Sequence, residues 1–312
     1  MSNPYVFIVG CPRSGTTLLQ RIVNAHPQIA VTPESHWIPR LFAKGEGLTP
    51  EGLVTAQLAP RLLELPKFAA LGIAREDLLK LVGNGEPVHY SSLVTAILDL
   101  YGKAQSKALV GDKTPDYVRW LDTLHGLWPE ARFVHVIRDG RDVCLSIANW
   151  TKAHQKRPGR FTTWKDEPVS TTALWWELNV RLGRNVGKLI GARLYYEIRY
   201  EALVTHPREE CEALCAFLGL GYHDAMLRFH EGRTRTEPGL SAKHAWLPVT
   251  AGLRDWRSQM PSGDIERVEA ATGELLDELG YPRVFPRPGP ERLENALRIR
   301  EEFSRDRKWI RF

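Results

Sequence analysis

The sequence predicts an α/β fold in which an open sheet of mainly parallel strands is flanked by helices. Two observations predict it. The apolar residues 5–9 end on a glycine, and a short loop and an amphipathic helical pattern over 16–25 follow. Two further apolar runs, 132–137 and 193–198, are also followed by helical patterns. Strands that alternate with helices are typical of βαβ units, and 312 residues suffice for one large domain of this kind.

The loop after the first strand is typical of phosphate binding. Gly10 and Gly15 allow the backbone to turn sharply and bring its N–H groups close to an anion, and a helix begins directly afterwards. Arg13 adds a positive charge. Hydroxyl donors come from Ser14, Thr16 and Thr17. The spacing is nearly that of a Walker A loop, but Thr16 stands where that loop has lysine. The sequence therefore predicts a P-loop-like fold and argues against ordinary ATP or GTP hydrolysis.

Two shorter strand candidates each lead into a charged side chain. Glu34 follows the candidate at 29–31, and Lys113 follows the one at 108–110. Ligands of open α/β sheets bind at the carboxyl ends of the strands, so both side chains are candidates for a functional site. The alternative for Glu34 is a carboxylate that stabilises a helix start. The alternative for Lys113 is a solvated ion pair with an aspartate beside it in the sequence.

A second candidate for anion binding follows the strand at 132–137. Arg138 ends that strand, and Ser146 lies on a helix predicted over 143–153. An arginine and a serine can hold a phosphate together, by charge-assisted and neutral hydrogen bonds. The alternative is an arginine that pairs with an aspartate of the same turn.

The rest of the chain predicts helices and loops within a single domain, 1–312. Residues 40–107 alternate helical patterns with Gly and Pro breaks, which predicts a helical insertion over the ligand crevice that selects the substrate. The polar, basic segment 154–168 predicts either a mobile loop that closes over an anionic site or a solvated loop. A long helix is predicted over 171–190, and residues 289–312 predict a C-terminal helical extension.

The charge of the chain fits an anionic ligand, but it would also suit a nucleic-acid binder or carry no specific meaning. The formal net charge is +5 and the pI is about 9.0. No basic helix carries interleaved aromatic residues, so a nucleic-acid partner is the weaker interpretation and is not expected.

Cysteine usage and hydropathy predict a cytoplasmic protein. Four cysteines occur without paired spacings, at positions 11, 144, 211 and 215. The last two are one helical turn apart, which is more often two small buried residues than a metal pair, so no metal site is expected. The first strand begins at Tyr5, which leaves no room for a signal peptide, and no apolar run reaches membrane-spanning length.

Taken together, the two loops resemble those of the sulfotransferases that use 3′-phosphoadenosine 5′-phosphosulfate (PAPS). Residues 12–18, Pro-Arg-Ser-Gly-Thr-Thr-Leu, are similar to the family's 5′-phosphosulfate loop. Residues 136–143 with Ser146 are similar to its 3′-phosphate motif and share its arginine-to-serine spacing. Tyr200 resembles a tyrosine that lies near the adenine. The segment 252–256, which contains Arg254, resembles a late Gly/Trp segment that closes over the 3′-phosphate.

Within that family, residues 12–41 are most similar to the tyrosylprotein sulfotransferases. The similarity implies that Glu34 is the general base and that Lys113, together with Arg13, acts on the leaving group. It also implies a further serine at the sulfonate, Ser241. His36 is a reserve base because it lies close to Glu34 in sequence, with an ordinary surface histidine as the alternative. Where those relatives have a pair of glutamates, this chain has Pro33-Glu34.

The resemblance implies in-line transfer of a sulfuryl group from PAPS to an acceptor hydroxyl, which leaves the bisphosphate PAP and needs no metal. The expected partners are a small-molecule or peptide hydroxyl and a second copy of the chain. Two alternatives from other classes stay open. One is a P-loop-type kinase of a small molecule, which the missing lysine opposes, and the other is a nucleotide-binding module without catalysis.

Overall fold

A computed structural model describes residues 1–83, 86–149, 159–231 and 247–306. Five strands within these residues form one parallel sheet in the order β2-β3-β1-β4-β5. The strands are β1 (Val6–Gly10), β2 (Ile29–Thr32), β3 (Leu109–Lys113), β4 (Arg132–Ile137) and β5 (Tyr195–Arg199). The chain builds one half of the sheet from β1 to β3 and the other half from β4 to β5. Open sheets of this kind bind ligands outside the carboxyl ends of their strands.

Helices cover both faces of the sheet. In chain order they are α1 (Thr16–Asn24), α2 (Ile38–Lys44), α3 (Leu58–Leu63), α4 (Pro66–Ala69), α5 (Arg75–Val82), α6 (Tyr90–Ala104), α7 (Leu121–Leu127), α8 (Gly140–Ala148), α9 (Pro168–Ile190), α10 (Tyr200–Thr205), α11 (Pro207–Leu218), α12 (Trp256–Gln259), α13 (Ser262–Glu278) and α14 (Pro290–Arg305). Short 3-10 turns occupy Pro115–Trp120, Thr162–Trp164 and Asp224–Met226. In the described part of the chain, no helix is both long and apolar enough to cross a membrane.

Strand β1 lies in the middle of the sheet, which explains why polar and apolar residues do not alternate along it. All five residues of β1 are buried. Phe7 and Val9 pack into the cluster that contains α6 and α7, while Val6 and Ile8 pack into the opposite cluster with α1 and α11. A parallel strand that is covered on both faces reads as a continuous apolar run. The predicted open α/β fold is confirmed.

Several predicted boundaries differ from the structure, among them the start of the long helix α9, which is Pro168 and not residue 171. The strand expected at 108–110 runs on to Lys113, because Gly111 and Lys113 lie in register with Val6 and Ile8 of β1. The helix expected from residue 143 begins at Gly140, because the carboxylate of Asp139 caps it and accepts the backbone N–H of Arg141 at 2.9 Å. The same helix ends at Ala148 and not at the predicted residue 153, and residues 150–158 lie outside the described residues.

The two helical additions both contribute to the core. Between residues 40 and 107, α6 packs on β2 and β3, and its Val94, Ile97 and Leu98 are fully buried. Helix α3 packs on α4 and α5, and α5 packs on α6. Helix α14, the described part of the C-terminal extension, packs on α9 and α13 through Ala296, Ile299 and Phe303.

The described part of the polar segment predicted over 154–168 is packed against α14. Phe161 stacks on Phe303, with ring centroids 4.2 Å apart. The backbone N–H and the hydroxyl of Thr162 both donate to Asp306, each at 2.7 Å. Residues 154–158 lie outside the described residues.

Helix α9 approaches the sheet through two glycines rather than through its leucines. A Cβ at Gly183 would lie 2.5 Å from His135 Cε1, and a Cβ at Gly187 would lie 2.4 Å from Tyr195 Cε1. Leu189, expected on the apolar face, is 87% exposed. Trp175 is fully buried in the core, as expected. The hydrophobic pattern therefore predicts where the helix ends, but it does not predict which residues of its last turns face the sheet.

Gly183→Ala is expected to lower the free energy of unfolding by about 1–3 kcal/mol, because the methyl group overpacks the contact between α9 and β4. Gly126→Ala within α7 is the matched control, since nothing lies within 4 Å of its added Cβ. Alanine is the better helix former, so the free energy of unfolding of the Gly126→Ala variant should rise by up to about 1 kcal/mol. Urea denaturation of both variants checks this, and a stabilised Gly183→Ala variant would contradict the close packing.

Candidate active site

Each of the five strands delivers a candidate residue to one edge of the sheet. From β2 across to β5 these are Glu34, Lys113, the loop 11–15, Arg138 and Tyr200. Lys113 is the last residue of β3, and Arg138 and Tyr200 directly follow β4 and β5. The parallel sheet therefore brings together candidate residues that lie between positions 11 and 200 of the sequence.

The loop after β1 is shaped to bind an anion. Gly15 has a φ of 96° and Arg13 a φ of 78°, so both residues occupy the left-handed region. No side chain caps the start of α1, and its first turn holds no acidic residue. The buried hydroxyl of Ser14 has no hydrogen-bond partner among the described residues. Free donors at a helix start, next to a positive charge, favour a phosphate or a sulfate group.

Tyr200 explains why position 15 has to be glycine. A Cβ built on Gly15 would lie 2.3 Å from Cδ2 of the Tyr200 ring. The guanidinium of Arg138 lies over the same ring, 4.2 Å from its centroid. The ring therefore contacts both the first loop and the cation of the second.

Direct contacts join the two predicted anion loops. Arg13 Nε donates to Ser146 Oγ at 3.1 Å, and Arg138 Nη1 donates to the carbonyl oxygen of Arg13 at 3.4 Å. Arg138 also forms an ion pair with Asp142 at 3.3 Å. The alternative given in the sequence analysis, an arginine paired with an aspartate of the same turn, is therefore present as well. That ion pair still leaves Nε of Arg138 buried and unpartnered among the described residues.

Positive charge is concentrated where the loops meet. Burial lowers the pKa of Arg13, and the charges of Arg254 and Arg138 lower it further, while Glu34 opposes them. Arg254 therefore lies close enough to Arg13 to affect its charge. Three arginines in one crevice repel one another unless an anion lies between them, so the site is complementary to a ligand with several negative charges.

Glu34 and Lys113 form an ion pair at the other side of the loop. Lys113 Nζ lies 2.6 Å from Glu34 Oε1 and 3.4 Å from Thr17 Oγ1. His36 Nε2 lies 3.0 Å from the second oxygen, Oε2. Burial alone would raise the pKa of Glu34, but the hydrogen bond from His36 and the charge and hydrogen bond of Lys113 together lower it to about 2.

The alternative for Lys113, a solvated pair with a neighbouring aspartate, is wrong. Its side chain is 4% exposed and bonds to Glu34. Asp112 instead accepts the hydroxyl of Thr32 at 2.9 Å, and Asp116 pairs with Arg119 at 3.2 Å. Asp112 thus bonds to the end of β2, and Asp116 bonds within its own 3-10 turn. Of these three residues, Lys113 is the one that enters the crevice.

The sequence analysis missed a buried network behind the second loop. Arg141 has no exposed surface and pairs with Asp139 at 2.8 Å and with Glu269 at 2.6 Å. Its guanidinium stacks on Trp256, 3.7 Å from the ring centroid, and Trp256 Nε1 donates to Asp139 at 3.1 Å. This network holds the segment that bears Arg254 against the start of α8. The signal available in the sequence is the two Arg-Asp pairs around Gly140, from which the sequence predicts only a pairing of Arg138 within the turn.

Most of the candidate site residues therefore come together. The structure groups Arg13, Ser14, Gly15, Thr17, Glu34, Lys113, Arg138, Ser146, Tyr200 and Arg254 around one crevice. Thr16 begins α1 and is buried. Ser241 lies outside the described residues. Within the residues described, no group of three or more His, Cys, Asp or Glu side chains could hold a metal ion.

Comparisons with known proteins identify the family. A sequence profile of the sulfotransferase family matches residues 4–224. Protein-tyrosine sulfotransferase 1 of Danio rerio is 26% identical over 96% of this chain and 79% of its own length. Nodulation protein NoeE of Sinorhizobium fredii is 29% identical over 88% of this chain and 65% of its own length. The chain therefore belongs to the sulfotransferase family, and its chemistry is sulfuryl transfer.

A solved structure supports the same fold. The sulfotransferase domain of the Synechococcus PCC 7002 olefin synthase aligns with a TM-score of 0.59 at 24% identity, over 90% of this chain and 96% of that domain.

Gly15→Ala is expected to destabilise the protein more than Gly45→Ala. Both glycines have a left-handed φ, 96° and 65°, so both variants incur the same kind of backbone strain, about 1–2 kcal/mol. Only at position 15 does the new Cβ also meet a ring, which should add about 1–3 kcal/mol. Thermal and urea unfolding measure both losses, and equal losses would show that Tyr200 does not restrict this position.

Proposed function

We propose that this sulfotransferase takes its sulfuryl group from PAPS and transfers it to an acceptor hydroxyl, with Glu34 as the general base. One observation carries the proposal: the contact between Arg13 and Ser146, 3.1 Å long, unites two anion loops into one crevice. A nucleotide with phosphate groups at both its 5′ and 3′ ends has the charge distribution that this crevice accommodates.

The side chains at the crevice fit such a donor. The loop 13–17 would hold the 5′ end through backbone N–H groups, the Ser14 hydroxyl and the Arg13 charge. Arg138 and Ser146 would hold the 3′-phosphate, because Arg138 Nε is a buried donor in need of an acceptor. The Tyr200 ring, already stacked under Arg138, offers an apolar face to the base. The donor supplies an activated sulfuryl group on a phosphate that leaves as an anion.

The opposite side of the crevice supplies a base and a cation. Sulfuryl transfer resembles phosphoryl transfer, in which the transition state is loose and charge builds up on the leaving oxygen. Lys113 and Arg13 would stabilise that charge, because Arg13 is part of the loop and Lys113 contacts Thr17 at its end. Glu34, next to Lys113, would accept the proton of the acceptor hydroxyl.

The acceptor is proposed to be a hydroxyl on a small molecule or a peptide. The relative from Danio rerio is a protein-tyrosine sulfotransferase, which favours a phenolic hydroxyl. Helix α6 packs on β2 and β3, and Glu34 and Lys113 lie at the ends of these two strands. The region α2–α6 is therefore the proposed site of acceptor selection. A cytoplasmic location and a homodimer stay predictions from the sequence.

A kinase of a small molecule is the less favoured alternative. Thr16 occupies the position of the lysine that reaches the β- and γ-phosphates in a Walker A loop. The second loop, with Arg138 and Ser146, would also have no partner on an ordinary nucleoside triphosphate, whose ribose has a 3′-hydroxyl.

Arg138→Ala is expected to weaken the binding of adenosine 3′,5′-bisphosphate by about tenfold or more, since a charge-assisted hydrogen bond is lost. The affinity for adenosine 5′-monophosphate, which lacks the 3′-phosphate, should fall by less than about twofold. Isothermal titration calorimetry measures both affinities. Arg208→Ala, at an exposed arginine on α11, is the control for a lost charge. Equal losses for the two nucleotides would contradict the assignment of the 3′-phosphate site.

Glu34→Gln is expected to reduce turnover about 10²–10⁴-fold, because a general base typically contributes that much. The amide keeps the size of the side chain but cannot take the proton, so the variant should still bind the nucleotide. Turnover is measured by the release of the bisphosphate product in the presence of an acceptor. Near-normal turnover in this variant would remove Glu34 from the role of base.

A further inference from the structure

Each carboxylate oxygen of Glu34 accepts one hydrogen bond. Lys113 Nζ donates to Oε1 at 2.6 Å, and His36 Nε2 donates to Oε2 at 3.0 Å. Each oxygen keeps a second lone pair that can take a proton. The direct contact with the ammonium group of Lys113 makes Oε1 a weaker base, so Glu34 becomes a stronger base when one of its two partners moves away.

His36 is the partner that stays in place. Its φ of 60° puts a non-glycine residue in the left-handed region, a strained conformation that persists only where the surroundings fix it. Those surroundings are present. The N–H of Ser35 donates to Thr114 Oγ1 at 3.0 Å, and the N–H of Ile38 donates to Tyr117 Oη at 3.0 Å. The segment that carries the imidazole is therefore fastened on both sides.

Lys113 is the partner that can move. Its Nζ lies between Glu34 and the anion loop, 3.4 Å from Thr17 Oγ1. Four rotatable bonds join this ammonium group to the backbone, so a small displacement takes it from the carboxylate to an anion on the loop. An anionic ligand at the loop competes with Glu34 for the same cation.

We propose that the ion pair between Lys113 and Glu34 is a resting state that the anionic donor opens: Lys113 moves from Oε1 of Glu34 to the 5′ end of the donor, while His36 keeps Oε2. This inference rests on the proposed function. Oε1 then accepts the proton of the acceptor hydroxyl. The acceptor oxygen forms its bond to sulfur as the bridging S–O bond breaks, and Lys113 meets the electron pair that remains on the phosphate oxygen.

The arrangement makes the base dependent on the donor. In the resting site the charge and the hydrogen bond of Lys113 help to hold the pKa of Glu34 at about 2, where a carboxylate is a weak base. Departure of Lys113 removes both effects, and the pKa rises. His36 in this scheme is a positioning residue, because it acts through Glu34 and not on the reacting atoms.

A double-mutant cycle on nucleotide affinity tests the inference without turnover. The probe is adenosine 3′,5′-bisphosphate, and the readout is its dissociation constant by calorimetry in the wild type, Glu34→Gln, Lys113→Met and the double variant. In the wild-type background, Glu34→Gln frees Lys113, so we expect binding about tenfold tighter. In the Lys113→Met background the same change should alter the affinity by less than about twofold, since no cation remains to be released.

Two controls separate release of Lys113 from simple charge repulsion and from misfolding. Adenosine 3′-monophosphate has no 5′-phosphate, so its affinity should respond to Glu34→Gln by less than about twofold. Lys113→Gln replaces Lys113→Met if the methionine variant loses its circular dichroism spectrum. A gain from Glu34→Gln that is equal in both backgrounds, or no gain at all, would overturn the inference. If the wild type does not bind the bisphosphate, the proposed function fails instead.

Discussion

The hydrogen bond from Arg13 Nε to Ser146 Oγ connects residues that are 133 positions apart in the sequence. It can form because β1 and β4 are parallel neighbours in register, so the loop after one and the helix after the other emerge side by side. Arg138 adds a second link to the carbonyl oxygen of Arg13. These two contacts bring the loop after β1 and the start of α8 together into one crevice.

The support for this contact lies behind the crevice. Arg141, paired with Asp139 and Glu269 and stacked on Trp256, is a buried cation with both partners in place. Removing one partner of such a group typically costs about 3–5 kcal/mol, because a buried charge is left uncompensated. Helix α13, which carries Glu269, is thereby coupled to the turn that presents Arg138. The C-terminal helices thus support the half of the crevice next to β4, while α6 packs on β2 and β3 at the other half.

The sequence was sufficient for the sheet, for both loops and for the positions of Arg138 and Lys113 at strand ends, since apolar runs and glycine spacing are local signals. It was insufficient where contact between distant segments decides. Leu189 fits a helical apolar stripe, yet Gly187 is the residue that faces the sheet, because close backbone approach there leaves no room for a side chain. The pairing of Glu34 with Lys113 was equally invisible, since it depends on the adjacency of β2 and β3.

Sulfonate transfer is the most direct measurement of the central claim. The protein is incubated with isotopically labelled PAPS and a panel of phenols, sugars, lipid and polyketide alcohols and tyrosine peptides, and each acceptor is then weighed by mass spectrometry. The account predicts that at least one acceptor gains one labelled sulfonate group, with release of the 3′,5′-bisphosphate. No labelled acceptor, together with Mg²⁺-dependent transfer of phosphate from ATP, would contradict it.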